Sequence, residues 1–277
     1  IGGMGLTCVI LEIKIKLKKI QSYKINQDVI TTKNLEEVMS LFEKYKNSTY
    51  TVAWIDCLAK GNSSGRSVFF KGEHKISKEK ISYDPKNLLR IPFFFPSWIL
   101  NYFSISVFNF FYFYFNKFFN KKEVEGDSFF YPLDKILEWN KIYGKNGFVQ
   151  YQFLVPKEGS FKAIKEVLEK VTNSKEASFL SVLKLFKKGN KGLLSFPDEG
   201  YTLAMDFQAN EKTFLLLKEL DKIVMKYSGR IYLSKDSRLS KDSFSSMNYD
   251  SESLRDILNK YKIKNFHSQQ SERLNIL

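Results

Sequence analysis

Hydrophobic and polar positions alternate from Ile10 to Lys18, with Ile13, Ile15 and Leu17 on one side and Glu12, Lys14, Lys16 and Lys18 on the other. That period of two predicts a half-buried strand. The period then changes: Leu35, Val38, Leu41 and Phe42 fall on one helical face behind Asn34, a residue suited to cap a helix running to Lys46. A strand from Tyr50 to Asp56, a turn over Gly61 to Gly65 and a second strand from Ser67 to Lys71 follow. Farther on, the pattern predicts a strand over Phe148 to Val155, an amphipathic helix over Phe161 to Val171 and a strand over Ser178 to Phe186. It then repeats as a strand over Tyr201 to Phe207, a helix over Glu211 to Tyr227 and a closing strand over Arg230 to Ser234. Two successive β-α-β units predict an α+β fold, an antiparallel sheet of ferredoxin-like repeats with helices on one face. A last helix, about Ser251 to Tyr261, precedes a polar tail after Lys262.

One stretch breaks this pattern. From Ile91 to Asn116 there is no charge and a high density of Phe and Tyr, enough by length to span a bilayer. Pro92 and Pro96 near its start, and Asn101, Ser104, Asn109 and Asn116 about one helical face apart, argue instead for a one-sided helix. Such a helix packs on the sheet or rests on a membrane.

Composition narrows the function. With 277 residues and 43% hydrophobic content the chain can bury a sizeable core in one or two domains. The formal charge of +14 rests on scattered lysines, and only six of the 44 basic residues are arginine. Without arginine forks or a basic helix face ordered for a groove, nucleic acid is a poor partner, whereas an anionic lipid surface or a phosphorylated substrate stays open. Cys8 and Cys57, both in strand-like contexts, predict reduced, buried thiols of a cytoplasmic protein rather than a disulfide framework. His74 and His267 are the only histidines, too few for a zinc site or a His-based triad, so no metal is predicted. The chain opens on Ile1 and Gly2-Gly3-Met4-Gly5-Leu6-Thr7, which reads as a piece lacking an N-terminal part.

The run Gly229-Arg230-Ile231-Tyr232-Leu233-Ser234-Lys235-Asp236-Ser237-Arg238 reads as a short strand ending in turn chemistry. Such an end either lies in solvent or delivers Lys235 to a pocket rim, and Tyr232 and Lys235 share one side only if the chain bends after Ser234. Polar and aromatic residues also interrupt other strands: Trp54 in Ala53-Trp54-Ile55-Asp56, Gln150 in Gly147-Phe148-Val149-Gln150-Tyr151-Gln152-Phe153, and Lys184-Leu185-Phe186. Each alone fits core filler or an exposed face. Together on one sheet they have the make-up of a polar-lined pocket.

These runs, with Tyr131-Pro132-Leu133-Asp134, Glu138-Trp139-Asn140, Tyr143-Gly144, Ser178-Phe179-Leu180 and Leu194-Ser195-Phe196-Pro197, resemble in order the vanillyl-alcohol-oxidase type of FAD-linked oxidoreductases. The likeness is to those members that oxidise a polyprenylphosphoryl ribose in making the arabinose donor of cell walls. The resemblance implies that residues 1–17 are the C-terminal edge of an FAD-binding domain. It implies that 18–277 form the substrate domain, whose final strand and C-terminal segment return toward the flavin. Val9 and Tyr232 would contact FAD; Trp54, Gln150, Lys184 and Phe186 would bind substrate; Lys235 would be catalytic.

The implied reaction takes the 2-hydroxyl to a 2-keto group, and a short-chain reductase would complete the epimerisation. The implied location is cytoplasmic, peripheral on the inner face of the cell membrane. The aromatic segment from Ile91 to Phe119, followed by Lys121 and Lys122, would take the polyprenyl tail and its phosphate. Departures from the family pattern are Cys8 for a glycine, Phe130 for a pocket tyrosine, Thr202 and Ala204 for a pocket asparagine and cysteine, and Gln269 for an acidic residue. They leave the exact substrate open, with an aldonolactone oxidase of the D-arabinono-1,4-lactone type as the first alternative; a non-catalytic binding module is the other, decided by whether an FAD domain is encoded upstream.

Overall fold

A computed structural model describes residues 2–77, 89–118, 122–247, 249–263 and 265–276. The chain runs β1 (Lys24–Thr32), α1 (Leu35–Lys44), β2 (Tyr50–Ile55), β3 (Ser67–His74), β4 (Leu89–Arg90), α2 (Tyr102–Phe118), β5 (Glu123–Glu125), α3 (Gly126–Phe130), β6 (Ile136–Leu137) and β7 (Phe148–Pro156). It continues α4 (Ser160–Ser174), β8 (Ser181–Phe186), β9 (Gly200–Gln208), α5 (Glu211–Lys226), β10 (Arg230–Ile231), α6 (Lys241–Ser245), α7 (Ser251–Lys260) and α8 (Gln269–Leu274). Eight strands form one sheet in the order β10-β7-β9-β8-β2-β3-β1-β5, and each neighbouring pair is antiparallel. Strands β4 and β6 make a separate parallel pair.

Strand alternation divides the sheet into two unlike faces. Ala53, Ile55, Phe69, Tyr151, Phe153, Val155, Leu183, Tyr201, Leu203 and Met205 point into the main core. There they meet Leu35, Val38 and Phe42 of α1, Val167 and Val171 of α4, and Leu217, Leu220 and Val224 of α5. Asn34 caps α1 by accepting from the Glu37 amide, and Asn210 caps α5 by accepting from Thr213.

Helix α2 does not join that layer. It lies across β1 and β3 on the opposite face, where Phe113 packs with Trp54 and Val68. Helices therefore cover both faces, not one. Among the described residues no helix is long and apolar enough to cross a membrane. Two polar positions are used locally, Asn101 accepting from the Phe103 and Ser104 amides at the helix start and Asn116 donating to the Tyr112 carbonyl, whereas Asn109 reaches across to Asp56.

Other differences from the sequence reading have physical causes. Residues 8–20 form no strand, and Ile13, Ile15 and Leu17 are exposed, because no neighbouring strand among the described residues offers them a ladder. Cys8 on that segment is exposed, whereas Cys57 is buried. The closing strand keeps only Arg230 and Ile231; the chain then turns through a 3₁₀ turn at Leu233–Lys235. Past Lys262 the chain forms α8, opened by a capping box in which Ser268 and Ser271 exchange side-chain and backbone hydrogen bonds.

Candidate functional site

The face of the sheet opposite the main core is left partly open beside α2, and a cleft of about 1180 Å³ lies over it. Register decides what lines it. Trp54 on β2 pairs with Val182 on β8, Lys184 pairs with Thr202 on β9, and Gln150 on β7 pairs with Asp206 on β9. Period-two alternation thus sends Trp54, Gln150, Lys184 and Phe186 to one side, and all four line the cleft.

Lys235 reaches the same cleft from the sheet edge. The Tyr232 amide still donates to the Gln152 carbonyl, and the 3₁₀ turn begins immediately after it. The bend falls before Ser234, which sets the Lys235 ammonium 6.0 Å from the centre of the Tyr232 ring. Two residues of α8 brace this turn: Gln270 donates to the Leu233 carbonyl at 2.7 Å, and Arg273 pairs with Asp236 at 2.8 Å. Asp236 also accepts from the Arg238 and Leu239 amides, while Arg238 forks onto Asp221.

The walls are aromatic and the floor polar. The Trp54 indole donates to the Phe179 carbonyl at 2.9 Å and lies 4.7 Å from the Tyr112 ring. Phe186 meets Phe196 edge-on at 6.2 Å, and Phe196 stacks on Tyr232 at 4.5 Å, so one aromatic run links the cleft to the lysine turn. Gln150 donates to Asp206 at 2.6 Å. Neighbouring Gln152 donates to the Thr202 hydroxyl, which itself donates to the Phe153 carbonyl.

Electrostatically the cleft favours anions. Lys184 extends from β8 into the cleft, and the surrounding protein lowers its pKa by desolvation. Burial also lowers Lys235, opposed by the charge of Asp206 and assisted by that of Lys184. Lysines outnumber carboxylates along the cleft, six (Lys46, Lys157, Lys184, Lys187, Lys188, Lys235) to four (Glu43, Asp134, Glu199, Asp206), and the pair Lys184 and Lys235 forms a receptive site for a phosphate or a developing oxyanion.

Asp206 went unread in the sequence. It is 1% exposed, and burial pushes its carboxyl up to about 6 against the pull of Gln150 and Lys235. Its Oδ2 has no hydrogen-bond partner among the described residues; nor does the hydroxyl of Tyr143, which is raised by burial and by the charge of Asp206. Only the register opposite Gln150 marks Asp206 as part of the site, since on its own it reads as an outward strand position.

Of the other positions, Phe130 lines the cleft and packs edge-on against Tyr50 at 4.8 Å. Gln269 is exposed at the start of α8. Val9 is 67% exposed on the segment without regular structure and does not line the cleft. The turn before it touches the lysine turn at one point, Met4 Sδ 4.0 Å from the Ser234 hydroxyl, and is held to the loop between β8 and β9, where the Gly2 carbonyl accepts from the Leu194 amide. Gly2, at φ +75°, comes so close that a Cβ there would stand 3.1 Å from the Gly192 Cα. Of the segment expected to take a lipid tail, only Tyr112 lines the cleft; Phe119 and Lys121 lie outside the described residues.

Comparison with known proteins bears on this geometry. No protein-family model matches the chain. A decaprenylphosphoryl-β-D-ribose oxidase of Mycolicibacterium smegmatis is 32% identical over 257 residues, 89% of this chain. The chain is a relative of that oxidase. It spans 56% of the oxidase's length. A second relative, an uncharacterised protein in the mprA 5′ region of Streptomyces coelicolor, is 23% identical over 256 residues, covering 86% of this chain and 69% of its own length.

Proposed function

We propose that this chain is the substrate-side part of an FAD-linked oxidoreductase that oxidises the 2-hydroxyl of a polyprenylphosphoryl ribose to the 2-keto form. One observation carries the reading: Trp54, Gln150, Lys184, Phe186 and Lys235, from four separate elements, converge on one cleft. The relationship to the mycobacterial oxidase supports it. On this reading residues 18–277 are a ferredoxin-like substrate domain of the vanillyl-alcohol-oxidase type, and residues 1–17 are the edge of the FAD domain.

Tyr232 and Val9 do not line the cleft, and what supports a flavin is the surface beside it. The half-buried Tyr232 ring is held flat against Phe196, a cation stands beside it, and the Gly2 to Thr7 turn brings the chain before Val9 against the same turn. Tyr232 would contact the ring system and the Val9 backbone another part of the cofactor. When bound, FAD supplies a hydride acceptor for the carbinol carbon.

The protein supplies the rest. Lys235, compact and cationic, donates to the reacting oxygen and stabilises negative charge as it develops there, while the proton released by the hydroxyl passes out to solvent at the cleft mouth. Lys184 and Gln150 hold sugar and phosphate oxygens, and the Trp54 and Phe186 rings exclude water and fix the ring plane. Tyr112, beside Trp54, and Phe129 and Phe130 also line the cleft and offer an apolar path for the first prenyl units. The 2-keto product is then a substrate for a short-chain reductase that completes the epimerisation.

The test is anaerobic reduction of flavin in the full-length protein, with a polyprenylphosphoryl ribose and an aldonolactone as competing substrates. Bleaching of the flavin by the former, with a 2-keto product, supports the reading. Preference for the lactone, or a full-length protein that neither binds FAD nor turns over either substrate, overturns it.

A further inference from the structure

Helix α2 has two apolar faces and only one of them is used. Ile105, Asn109 and Phe113 are buried against the sheet. On the opposite side Phe103, Val107, Phe110, Phe111 and Phe118 follow one another at helical spacing and stay uncovered, with Phe103 75%, Phe111 65% and Phe118 67% exposed. Trp98, just before the helix, is 73% exposed. An uncovered aromatic stripe of this kind marks an interaction surface, because soluble proteins rarely leave such patches open to water.

Charge says what covers it. From Ile91 to Lys122 there is no Asp or Glu. Lysines rim the patch instead: Lys60 lies 5.5 Å from the Tyr102 ring centre, Lys117 5.7 Å from that of Phe118, and Lys141 5.7 Å from that of Phe94. Glu138, near Phe94, is neutralised by Lys141 and Arg90. A protein partner would present charges and hydrogen-bonding groups of its own, whereas aromatic side chains ringed by lysine match the apolar boundary and anionic headgroups of a bilayer. The 17-residue helix is anchored along its inner face by the sheet, so it cannot insert end-on.

We infer that the outer face of α2 is a membrane-docking wedge that lies flat in the interface of an anionic lipid bilayer. The inference goes beyond the reading of the cleft and stands without it. Tyr112, on the same helix, lines the cleft. Docking therefore brings the cleft beside the lipid surface.

Flotation of the full-length protein with phosphatidylcholine vesicles, with and without phosphatidylglycerol, tests it. The chain floats with the anionic vesicles, high salt weakens the association, and alkaline carbonate releases it. Combining Phe103→Ser, Phe111→Ser and Phe118→Ser lowers partitioning by about tenfold or more, as expected when buried aromatic area is lost. Circular dichroism of the variant stays unchanged, because these side chains point away from the sheet. Lys117→Glu selectively reduces the preference for anionic vesicles. Absence of flotation, or flotation undiminished in the triple variant, overturns the inference. So does self-association that the triple variant abolishes in the absence of vesicle binding, an outcome that would assign the face to a second copy of the chain.

Discussion

Asn109 donates its side-chain amide to the carboxylate of Asp56 at 2.7 Å, tying the middle of α2 to the end of β2. Both residues are buried, and Asp56 is also held by Arg66 at 2.7 Å and by the Leu58 amide. An asparagine that would count against a membrane span is here a peg into the sheet.

Replacing that peg should be costly. Asn109→Leu removes a donor from a buried carboxylate, a change expected to lower stability by about 1–3 kcal/mol. Urea unfolding followed by fluorescence measures it, and an unchanged midpoint would mean that Arg66 and the Leu58 amide together satisfy Asp56.

Lys235→Met in the full-length protein should leave folding and FAD content intact while slowing flavin reduction by roughly 10²-fold or more, the scale of removing a preorganised charge partner. Lys235→Arg should restore little, since a planar fork does not replace a compact point charge. Stopped-flow absorbance at matched FAD occupancy is the measurement. A rate near that of the unaltered protein would make Lys235 a solvated turn residue.

Asp206 makes stability depend on pH in an unusual direction. Its folded pKa of about 6 lies above the ordinary aspartate range, so the folded state holds this proton more tightly than the unfolded one. Its contribution is present at low pH and is lost as pH rises from about 4 to about 6, approaching ~3 kcal/mol. Asp206→Asn should lack that slope. The stability difference between the two proteins, measured by denaturation from pH 4 to 7.5, should widen in favour of the variant and then level off.

The two thiols should behave oppositely. Burial pushes Cys57 up to about 11, and its sulfur sits 3.2 Å from the Ser178 carbonyl, while Cys8 is exposed. A colourless disulfide reagent should label Cys8 in the native chain and reach Cys57 only on unfolding. Mass spectrometry of the labelled peptides reads the order.

How far this structure was legible follows from which signals are local. The cap at Asn34, the helical spacing of α5 and the alternation of β2, β7 and β9 sit within a few residues, so those elements are legible locally, whereas the Asn210 cap is seen only in the structure. Strand β1 was missed because Asn26, Gln27 and Asp28 break its alternation, and only its two-sided pairing with β3 and β5 makes it a strand. Ile10 to Lys18 shows the converse: alternation without a ladder is not a strand. The site divides in the same way. Trp54, Gln150, Lys184 and Phe186 stood out by residue type, whereas Asp206 depends on register and was invisible until the strands were paired.

The brace that α8 places on the lysine turn also sets an order of assembly. Leu233 and Asp236 wait for Gln270 and Arg273, more than thirty positions later in the chain. During synthesis the sheet and its strand-borne cleft residues can form while the last helix is still inside the ribosome. Lys235 thus takes its local support from Tyr232 and Asp236 and the rest from residues more than thirty positions later, so the charge at the rim depends on chain far from the strands that shape the cleft.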